Sequence, residues 1–192
     1  MRIIAGTYRS RPLQAPAGLA TRPTSDRLRE TLFSVLAPRI EGAHVLDLYA
    51  GSGAVALEAL SRGAELVTVV EHAPAALKVL RANVAALGLK IGIDLQAESV
   101  REHLRRAKRD ARGFDVVFLD PPYDAAEEYE RTLHALGGSA ARLLAADAVV
   151  IAEHRRKEHL NDAYGILHRT RLLEQGDAAL SFYGAQKPAA NG

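Results

Sequence analysis

The chain of 192 residues contains no cysteine. Disulfides, thiolate metal sites and cysteine nucleophiles are therefore excluded. No apolar run approaches the roughly 18 residues needed to cross a bilayer, and the first residues lack the long apolar stretch of a signal peptide. We therefore expect a cytoplasmic protein.

Metal ligands and repeats are equally scarce in the sequence. The seven histidines are scattered without the spacing of a metal site, so we expect no bound metal. There is no internal repeat, and only residues 185–192, rich in Ala, Pro, Asn and Gly, are predicted to form a flexible tail.

Positive charge is concentrated although the formal net charge is only +2. Many arginines fall in the first forty residues, and a basic run at residues 154–157 follows a predicted strand. A phosphate backbone is a natural partner for such segments, whereas a solvated surface is the competing interpretation. The candidates for RNA contact are Arg9, Arg11, Arg22, Arg27, Arg29, Arg155 and Arg156.

Strands and helices alternate along residues 43–184, which we interpret as one catalytic domain. Continuous apolar strands that alternate with helices predict a parallel sheet covered on both faces. A hairpin of two further strands, with its turn at residues 174–177, is expected at the end. The predicted strands are residues 44–49, 66–71, 91–96, 115–120, 148–153, 165–173 and 179–183.

Residues 1–42 are predicted to form an N-terminal arm and a helix that covers a cofactor or contacts RNA. Residues 2–13 alternate weakly and indicate a small hairpin or an extended arm, and their Gly, Pro and Arg content argues against a packed core. Thr24 or Ser25 is the expected cap of the following helix, and Pro38 and Gly42 are expected to close it.

The first predicted strand runs into the segment Asp47-Leu48-Tyr49-Ala50-Gly51-Ser52-Gly53. In a parallel sheet the ligand lies at the carboxyl ends of the strands, and glycines here allow a tight turn that a ligand can approach. Asp47 is an acid at the end of a buried strand, where a charge without a partner is costly. Glu71 ends the second strand about twenty residues later, the spacing of a carboxylate that binds ribose hydroxyls.

These features fit two cofactors, a dinucleotide and S-adenosylmethionine. A dinucleotide site usually has a third glycine, but Ala56 stands at that position. Asp47 would repel a pyrophosphate, whereas it suits the cationic end of S-adenosylmethionine.

The fourth strand ends in Asp120-Pro121-Pro122-Tyr123. The prolines stiffen the backbone and leave the Pro121 carbonyl free as an acceptor, since Pro122 has no N–H. This carbonyl and the Asp120 carboxylate can hold the two hydrogens of an amine, and Tyr123 can stack on a base. A proline-stiffened turn is the competing interpretation, but it does not explain the pairing with the glycine segment upstream.

These two segments, together with others, resemble those of a known family. The segments 47–53 and 120–123 are similar to those of class I methyltransferases that modify amines. The opening Met-Arg-Ile-Ile-Ala-Gly and the segments 22–30, 32–33 and 57–64 resemble the RsmD family more specifically, and the resemblance extends to about Gly184.

That resemblance implies an α/β, Rossmann-like sheet of seven strands whose last strand is antiparallel. It also implies transfer of a methyl group from S-adenosylmethionine to the N2 amine of one guanine in 16S ribosomal RNA, on a partly or fully assembled small subunit. We expect a monomer.

The family's functional positions map onto this sequence in two groups. Asp120, Pro121, Pro122 and Tyr123 would hold the guanine. Glu71 would hold the ribose, His72 would lie near the adenine, and Glu98 or Ser99 would contact the adenine edge. The implied cofactor site comprises Thr24, Asp47, Tyr49, Ala50, Gly51, Ser52, Gly53, Glu71, His72, Glu98 and Ser99.

Three other functions compete with this one. An amino-methyltransferase of DNA adenine or cytosine would use the same chemistry, but the chain shows no separate DNA-recognition domain. A dinucleotide-dependent oxidoreductase would bind NAD and have no use for the Pro-Pro segment. A non-catalytic RNA-binding relative would keep the arginines and transfer nothing.

Overall fold

The computed structural model describes residues 1–15, 25–107, 112–122 and 126–185. Eight strands form one sheet in the order β3-β2-β1-β4-β5-β8-β7-β6. The first five strands in this order are parallel, while β8 runs antiparallel to β5. The strands are β1 (His44–Leu48), β2 (Leu66–Val70), β3 (Ile93–Gln96), β4 (Phe114–Leu119), β5 (Leu144–Arg155), β6 (Ala163–Tyr164), β7 (Leu167–Gln175) and β8 (Ala178–Ala185).

This architecture confirms the predicted Rossmann-like sheet with one correction. The sheet has eight strands rather than seven, because the two residues of β6 pair with β7 at the edge. A two-residue strand has no periodicity that a sequence pattern could reveal. The terminal hairpin is present as β7 and β8, and its turn is shorter than expected because both strands extend toward Gly176 and Asp177.

Helices cover both faces of the sheet, which explains the continuously apolar strands. One face packs β-strand residues such as Val45, Val67 and Ile151 against three helices. The opposite face packs residues such as Leu46 and Val150 against the other two. The helices are α1 (Asp26–Ile40), α2 (Ala54–Ser61) and α3 (Pro74–Ala86) on the first face, and α4 (Val100–Arg106) and α5 (Ala126–Leu136) on the second.

Helix α1 begins as predicted and ends at Ile40, past Pro38 and before Gly42. The Ser25 hydroxyl accepts a hydrogen bond from the Leu28 N–H at 3.1 Å, so Ser25 is the cap. The expectation that Pro38 closes the helix is wrong, since α1 continues to Ile40. A proline this near the end of a helix removes only one of its last backbone hydrogen bonds.

The N-terminal segment is a hairpin, closed by an antiparallel bridge between Arg2 and Pro12. The expectation that it lies outside a packed core is wrong. Ile3 and Leu13 are buried against Leu57 of α2, because this helix is apolar on the side that faces away from the sheet as well. Helix α2 is thus enclosed between the sheet and the hairpin.

Two buried charged side chains, Glu58 and Arg29, bind this hairpin to the rest of the domain. The fully buried Glu58 carboxylate accepts hydrogen bonds from the backbone N–H groups of Ile4 and Ala5, at 2.7 and 3.0 Å. The guanidinium of Arg29 donates to the Arg2 carbonyl at 2.7 Å and lies 3.6 Å from Glu58. These bonds join α1, α2 and the first residues of the chain.

Within the described ranges, no helix has both the length and the apolar character that a membrane crossing requires.

Candidate active site

The segment between β1 and α2 is a tight turn whose backbone favours glycine at two points. Gly51 and Gly53 have φ angles of +56° and +78°, and the Gly53 N–H donates to the Ala50 carbonyl at 2.8 Å. A Cβ atom on Gly53 would lie 2.3 Å from a methyl group of Leu80, whereas at Gly51 the nearest heavy atom would be the Tyr49 carbonyl oxygen at 4.0 Å. The turn is therefore packed against α3 on one side and accessible at Gly51.

Glu71 is held at this turn, directly after β2. Its buried carboxylate accepts hydrogen bonds from the backbone N–H groups of Gly51, His72 and Ala73, at 2.9, 2.8 and 2.7 Å. The structure thus brings together the glycine turn and the acid that the twenty-residue spacing singled out. The His72 side chain is exposed beside it.

Asp47 lies beneath the turn with 2% of its surface exposed. One carboxylate oxygen accepts a hydrogen bond from the Ala56 N–H in the first turn of α2, at 3.1 Å. Burial raises the pKa of Asp47 to about 7; the Ala56 bond opposes this shift, and the Glu71 charge adds to it. The Asp47 carboxylate therefore already accepts a hydrogen bond from a backbone N–H at the start of α2. In a dinucleotide site, a phosphate would accept hydrogen bonds from the N–H groups of this helix end.

Asp120 follows β4 at the same edge of the sheet. Burial raises its pKa well above the usual range, and the negative charges of Glu153 and Asp47 raise it further. Pro121 is buried and Pro122 exposed. Because β1 and β4 are paired neighbours, the Asp-Pro-Pro segment and the glycine turn leave the sheet side by side. Tyr123 lies outside the described residues.

Glu153 is a site residue that the sequence analysis missed. It lies near the end of β5, is 2% exposed, and is the first charge that raises the pKa of Asp120. The signal was present, since Glu153 ends the predicted strand 148–153 just as Glu71 ends the second strand. The twenty-residue spacing that singled out Glu71 does not reach Glu153, but its place at the carboxyl end of a parallel strand does single it out.

Tyr49, Ala50 and Ser52 belong to the turn through their backbones. The Tyr49 hydroxyl donates to Glu128 at 3.0 Å and lies 2.7 Å from the Thr132 hydroxyl, so this side chain is directed at α5. Burial raises the Tyr49 pKa and keeps the hydroxyl protonated. The carbonyl of Ser52 accepts a hydrogen bond from the Asn83 amide of α3, at 2.9 Å.

The two candidates for the adenine edge follow β3. Ser99 caps α4 and exchanges hydrogen bonds with Glu102. Glu98 bonds to Arg106 at 2.8 Å and to His103 at 3.0 Å. Partial burial raises the pKa of Glu98, but these bonds outweigh it and hold the pKa below the usual value. Both side chains are therefore already engaged with α4, and contact with adenine stays a prediction.

The predicted RNA contacts divide by exposure. Arg9, Arg11, Arg27, Arg155 and Arg156 are exposed, and Arg156 pairs with Glu174 at 3.2 Å. Arg29 is fully buried and donates a hydrogen bond to the hairpin. The prediction that Arg29 contacts RNA is therefore wrong, because a fully buried guanidinium cannot bind a phosphate. Arg22 and Thr24 lie outside the described residues.

A metal centre finds no support in the part of the chain that the structure describes, where no three His, Asp or Glu side chains are grouped as ligands.

The fold and this site together define a Rossmann-like methyltransferase domain. The solved structure of the yhhF protein from Escherichia coli superposes with a TM-score of 0.83 at 32% identity, covering 97% of this chain and 98% of that one. A hypothetical protein of Thermus thermophilus superposes with a TM-score of 0.79 at 32% identity, covering 95% and 98%.

Sequence comparison identifies the family. The model of the family described as "conserved hypothetical protein 95" matches residues 1–184. The Ribosomal RNA small subunit methyltransferase D of Escherichia coli K12 is 37% identical over 178 residues, 91% of this chain and 86% of the relative. The YlbH protein of Bacillus subtilis is 35% identical over 185 residues, 95% of this chain and 98% of the relative. The chain belongs to this family, which is the RsmD family of the sequence resemblance.

Proposed function

We propose that this protein transfers a methyl group from S-adenosylmethionine to the exocyclic N2 amine of a guanine in 16S ribosomal RNA, within an assembled or partly assembled small subunit. One observation carries the proposal. A half-buried carboxylate with a rigid proline carbonyl, Asp120-Pro121, lies at the same sheet edge as the glycine turn, where Gly51 is partly exposed.

The residues around the turn fit the cofactor. Asp47 is buried and Asp120 is half-buried, and each is influenced by further negative charge, from Glu71 and from Glu153 respectively. A cationic ligand relieves this repulsion, and an anionic pyrophosphate increases it. Oε2 of Glu71 accepts one hydrogen bond, from Gly51, and so keeps a lone pair for a ribose hydroxyl. When bound, S-adenosylmethionine supplies an already activated methyl group.

The protein's own contribution is positioning and charge stabilisation. The lone pair of a guanine amine is delocalised into the ring, so it must be turned toward the methyl carbon and held there. The Pro121 carbonyl and the Asp120 carboxylate accept the two amine hydrogens. Asp120 also stabilises the positive charge that develops on the nitrogen during transfer.

The substrate class follows from the relatives and from the surface charge. Escherichia coli methyltransferase D is named for the small ribosomal subunit. In this chain, exposed arginines lie on the N-terminal hairpin, at Arg9 and Arg11, and at the end of β5, at Arg155 and Arg156. We assign these two surfaces to RNA phosphates, and residues 1–42 to covering the cofactor or contacting RNA.

Two measurements test the proposal against its rivals. Calorimetry should show binding of S-adenosylhomocysteine and no binding of NAD. Methyl transfer from labelled cofactor should occur with small subunits that lack the modification and not with duplex DNA. Tight NAD binding would support the oxidoreductase, transfer to DNA would support the DNA enzyme, and cofactor binding without any transfer would support the non-catalytic relative.

A further inference from the structure

Asn83 of α3 is a buried amide whose side chain bonds to two segments outside its own helix. It is 1% exposed. Its Oδ1 atom accepts a hydrogen bond from the Gln14 backbone N–H at 2.8 Å. Its Nδ2 group donates to the Gln14 carbonyl at 3.1 Å and to the Ser52 carbonyl at 2.9 Å. Because an asparagine amide has two hydrogens to donate, both donors of Asn83 are used.

The bond to Ser52 fixes the orientation of one peptide group in the glycine turn. The carbonyl of this peptide group is bound to Asn83, and its N–H, that of Gly53, donates to the Ala50 carbonyl at 2.8 Å. Gly51 and Gly53 both have positive φ angles. Since glycine populates positive and negative φ about equally, these residues by themselves do not hold a peptide group in one orientation. The Asn83 amide supplies that restraint.

A second peptide group of the turn is held from the same side. The Gly51 N–H donates to the carboxylate of Glu71, which lies between β2 and α3. Glu71 and Asn83 thus restrain the turn together, one at an N–H and the other at a carbonyl. They differ in what remains free, because Glu71 keeps a lone pair for a ribose hydroxyl whereas both donors of Asn83 are used. Asn83 therefore acts on a cofactor through the turn.

The bonds to Gln14 join the same amide to the N-terminal hairpin. Gln14 follows Leu13, which is buried against α2, and the Asn83 amide pairs with its backbone N–H and carbonyl as a neighbouring strand would. Further bonds of the hairpin go to Glu58 and Ser61 in the second half of α2, whereas Asn83 contacts it at the start of that helix. A change at Asn83 therefore affects the hairpin and the turn, and a change at Ser61 affects the hairpin alone.

We propose that Asn83 is a positioning residue for the cofactor: its amide holds the Ser52–Gly53 peptide group of the glycine turn in one orientation, and the N-terminal hairpin holds the amide. The role rests on the proposed function, because it requires that the turn binds S-adenosylmethionine. Asn83 contributes to cofactor affinity and not to the transfer step, since the proposed amine acceptors, Asp120 and Pro121, belong to a different segment.

Asn83→Asp tests the two donors without a change of size. The new carboxylate still accepts a hydrogen bond from the Gln14 N–H, but it repels the Ser52 carbonyl instead of donating to it. The dissociation constant of S-adenosylhomocysteine, measured by calorimetry, should rise at least about tenfold, because a buried carbonyl loses its partner. Single-turnover transfer at saturating cofactor should stay within about threefold of the wild-type rate.

Ser61→Ala is the matched control, because it loosens the hairpin away from the turn. It removes the bonds that the Ser61 hydroxyl makes to the Tyr8 N–H and the Ala5 carbonyl. Its affinity for S-adenosylhomocysteine should stay within about twofold of wild type. If cofactor binding depends only on a well-packed hairpin, both variants lose affinity alike, and that result would overturn the proposal.

Asn83→Leu removes the same donors without adding a buried charge, so it decides the matter if Asn83→Asp does not fold. It should also weaken cofactor binding at least about tenfold. In the wild-type protein, ¹⁵N NMR should show the Asn83 side-chain hydrogens exchanging with water at least about 100-fold more slowly than those of the exposed Asn161. Equal exchange at the two residues would overturn the proposal.

The same measurements separate this role from the function on which it rests. A wild-type protein that does not bind S-adenosylhomocysteine contradicts the proposed function. A wild-type protein that binds it, with equal affinity in Asn83→Leu, contradicts only the role of Asn83.

Discussion

Asp120 is the side chain on which the proposed chemistry most depends. Because it contacts the reacting amine rather than the cofactor in this account, Asp120→Ala should lower the transfer rate at least about 100-fold. The dissociation constant of S-adenosylhomocysteine should change by less than about threefold. Single-turnover kinetics and calorimetry measure the two quantities.

The matched control is Asp94→Ala, which removes an exposed carboxylate from β3 at the far edge of the sheet. It should transfer methyl groups at the wild-type rate. Transfer by Asp120→Ala within a few-fold of wild type would contradict the role of this carboxylate.

Asp47 makes the stability of the protein depend on pH. Its pKa is raised from 3.8 to about 7 in the folded state, so the folded protein binds an extra proton between these values. The contribution of this proton to the free energy of unfolding is fully present below pH 4 and is lost as the pH rises through 7. At 1.36 kcal/mol per unit, about 4 kcal/mol is its upper limit.

Asp47→Asn should therefore be more stable than the wild-type protein at pH 8, and this advantage should disappear near pH 4. Urea unfolding of the cofactor-free protein at the two pH values measures the difference. If the variant is less stable than wild type at pH 8, the ionised Asp47 carboxylate does not destabilise the folded protein.

At the scale of elements, the N-terminal hairpin depends on Glu58. Glu58→Ala leaves two partly buried backbone N–H groups, of Ile4 and Ala5, without their acceptor, and leaves Arg29 without its buried counter-charge. Breaking a buried pair in this way typically costs about 3–5 kcal/mol. Urea unfolding should show a loss of this order, and hydrogen exchange at Ile4 and Ala5 should accelerate.

Glu30→Ala, which removes an exposed carboxylate from α1, serves as the control and should change stability by less than about 0.5 kcal/mol. Unchanged exchange at Ile4 and Ala5 in Glu58→Ala would mean that apolar packing of Ile3 and Leu13 alone holds the hairpin.

The elements differ in how well the sequence predicts them, for physical reasons. Strands β1, β2 and β4 are largely buried, so their apolar runs mark them within a residue or two, whereas β5 begins four residues before the predicted strand. The two-residue strand β6 depends on tertiary pairing with β7, which leaves no local pattern.

The burial of charged residues was the harder part of the site to predict. Arg29 lies one helical turn before the buried Phe33, and Glu58 lies in an otherwise apolar helix, so their positions on the helices indicated burial. Their charge alone favoured a surface role. For Glu153, the basic residues that follow the strand were interpreted as candidate RNA contacts, whereas the acid at the end of the strand was not considered.

For the whole molecule, the exposed basic surface at the end of β5 should determine RNA affinity. The double variant Arg155→Glu with Arg156→Glu should weaken binding to small-subunit RNA about tenfold or more, and should flatten the dependence of binding on salt, since phosphate contacts are lost. Cofactor affinity should not change. Filter binding across a salt series measures the effect.

The control reverses two exposed arginines on α4, Arg101→Glu with Arg105→Glu, with the same change in net charge. Equal losses in both double variants would mean that net charge, and not a defined surface, attracts the RNA.

The most direct measurement for the whole account maps the transferred methyl group. Small subunits without this modification are incubated with the protein and methyl-labelled S-adenosylmethionine, and the digested 16S RNA is analysed by mass spectrometry. The account predicts a single N2-methylguanosine per RNA with the wild-type protein and none with Asp120→Ala. Label on another base or another atom, or equal labelling by the variant, would contradict it.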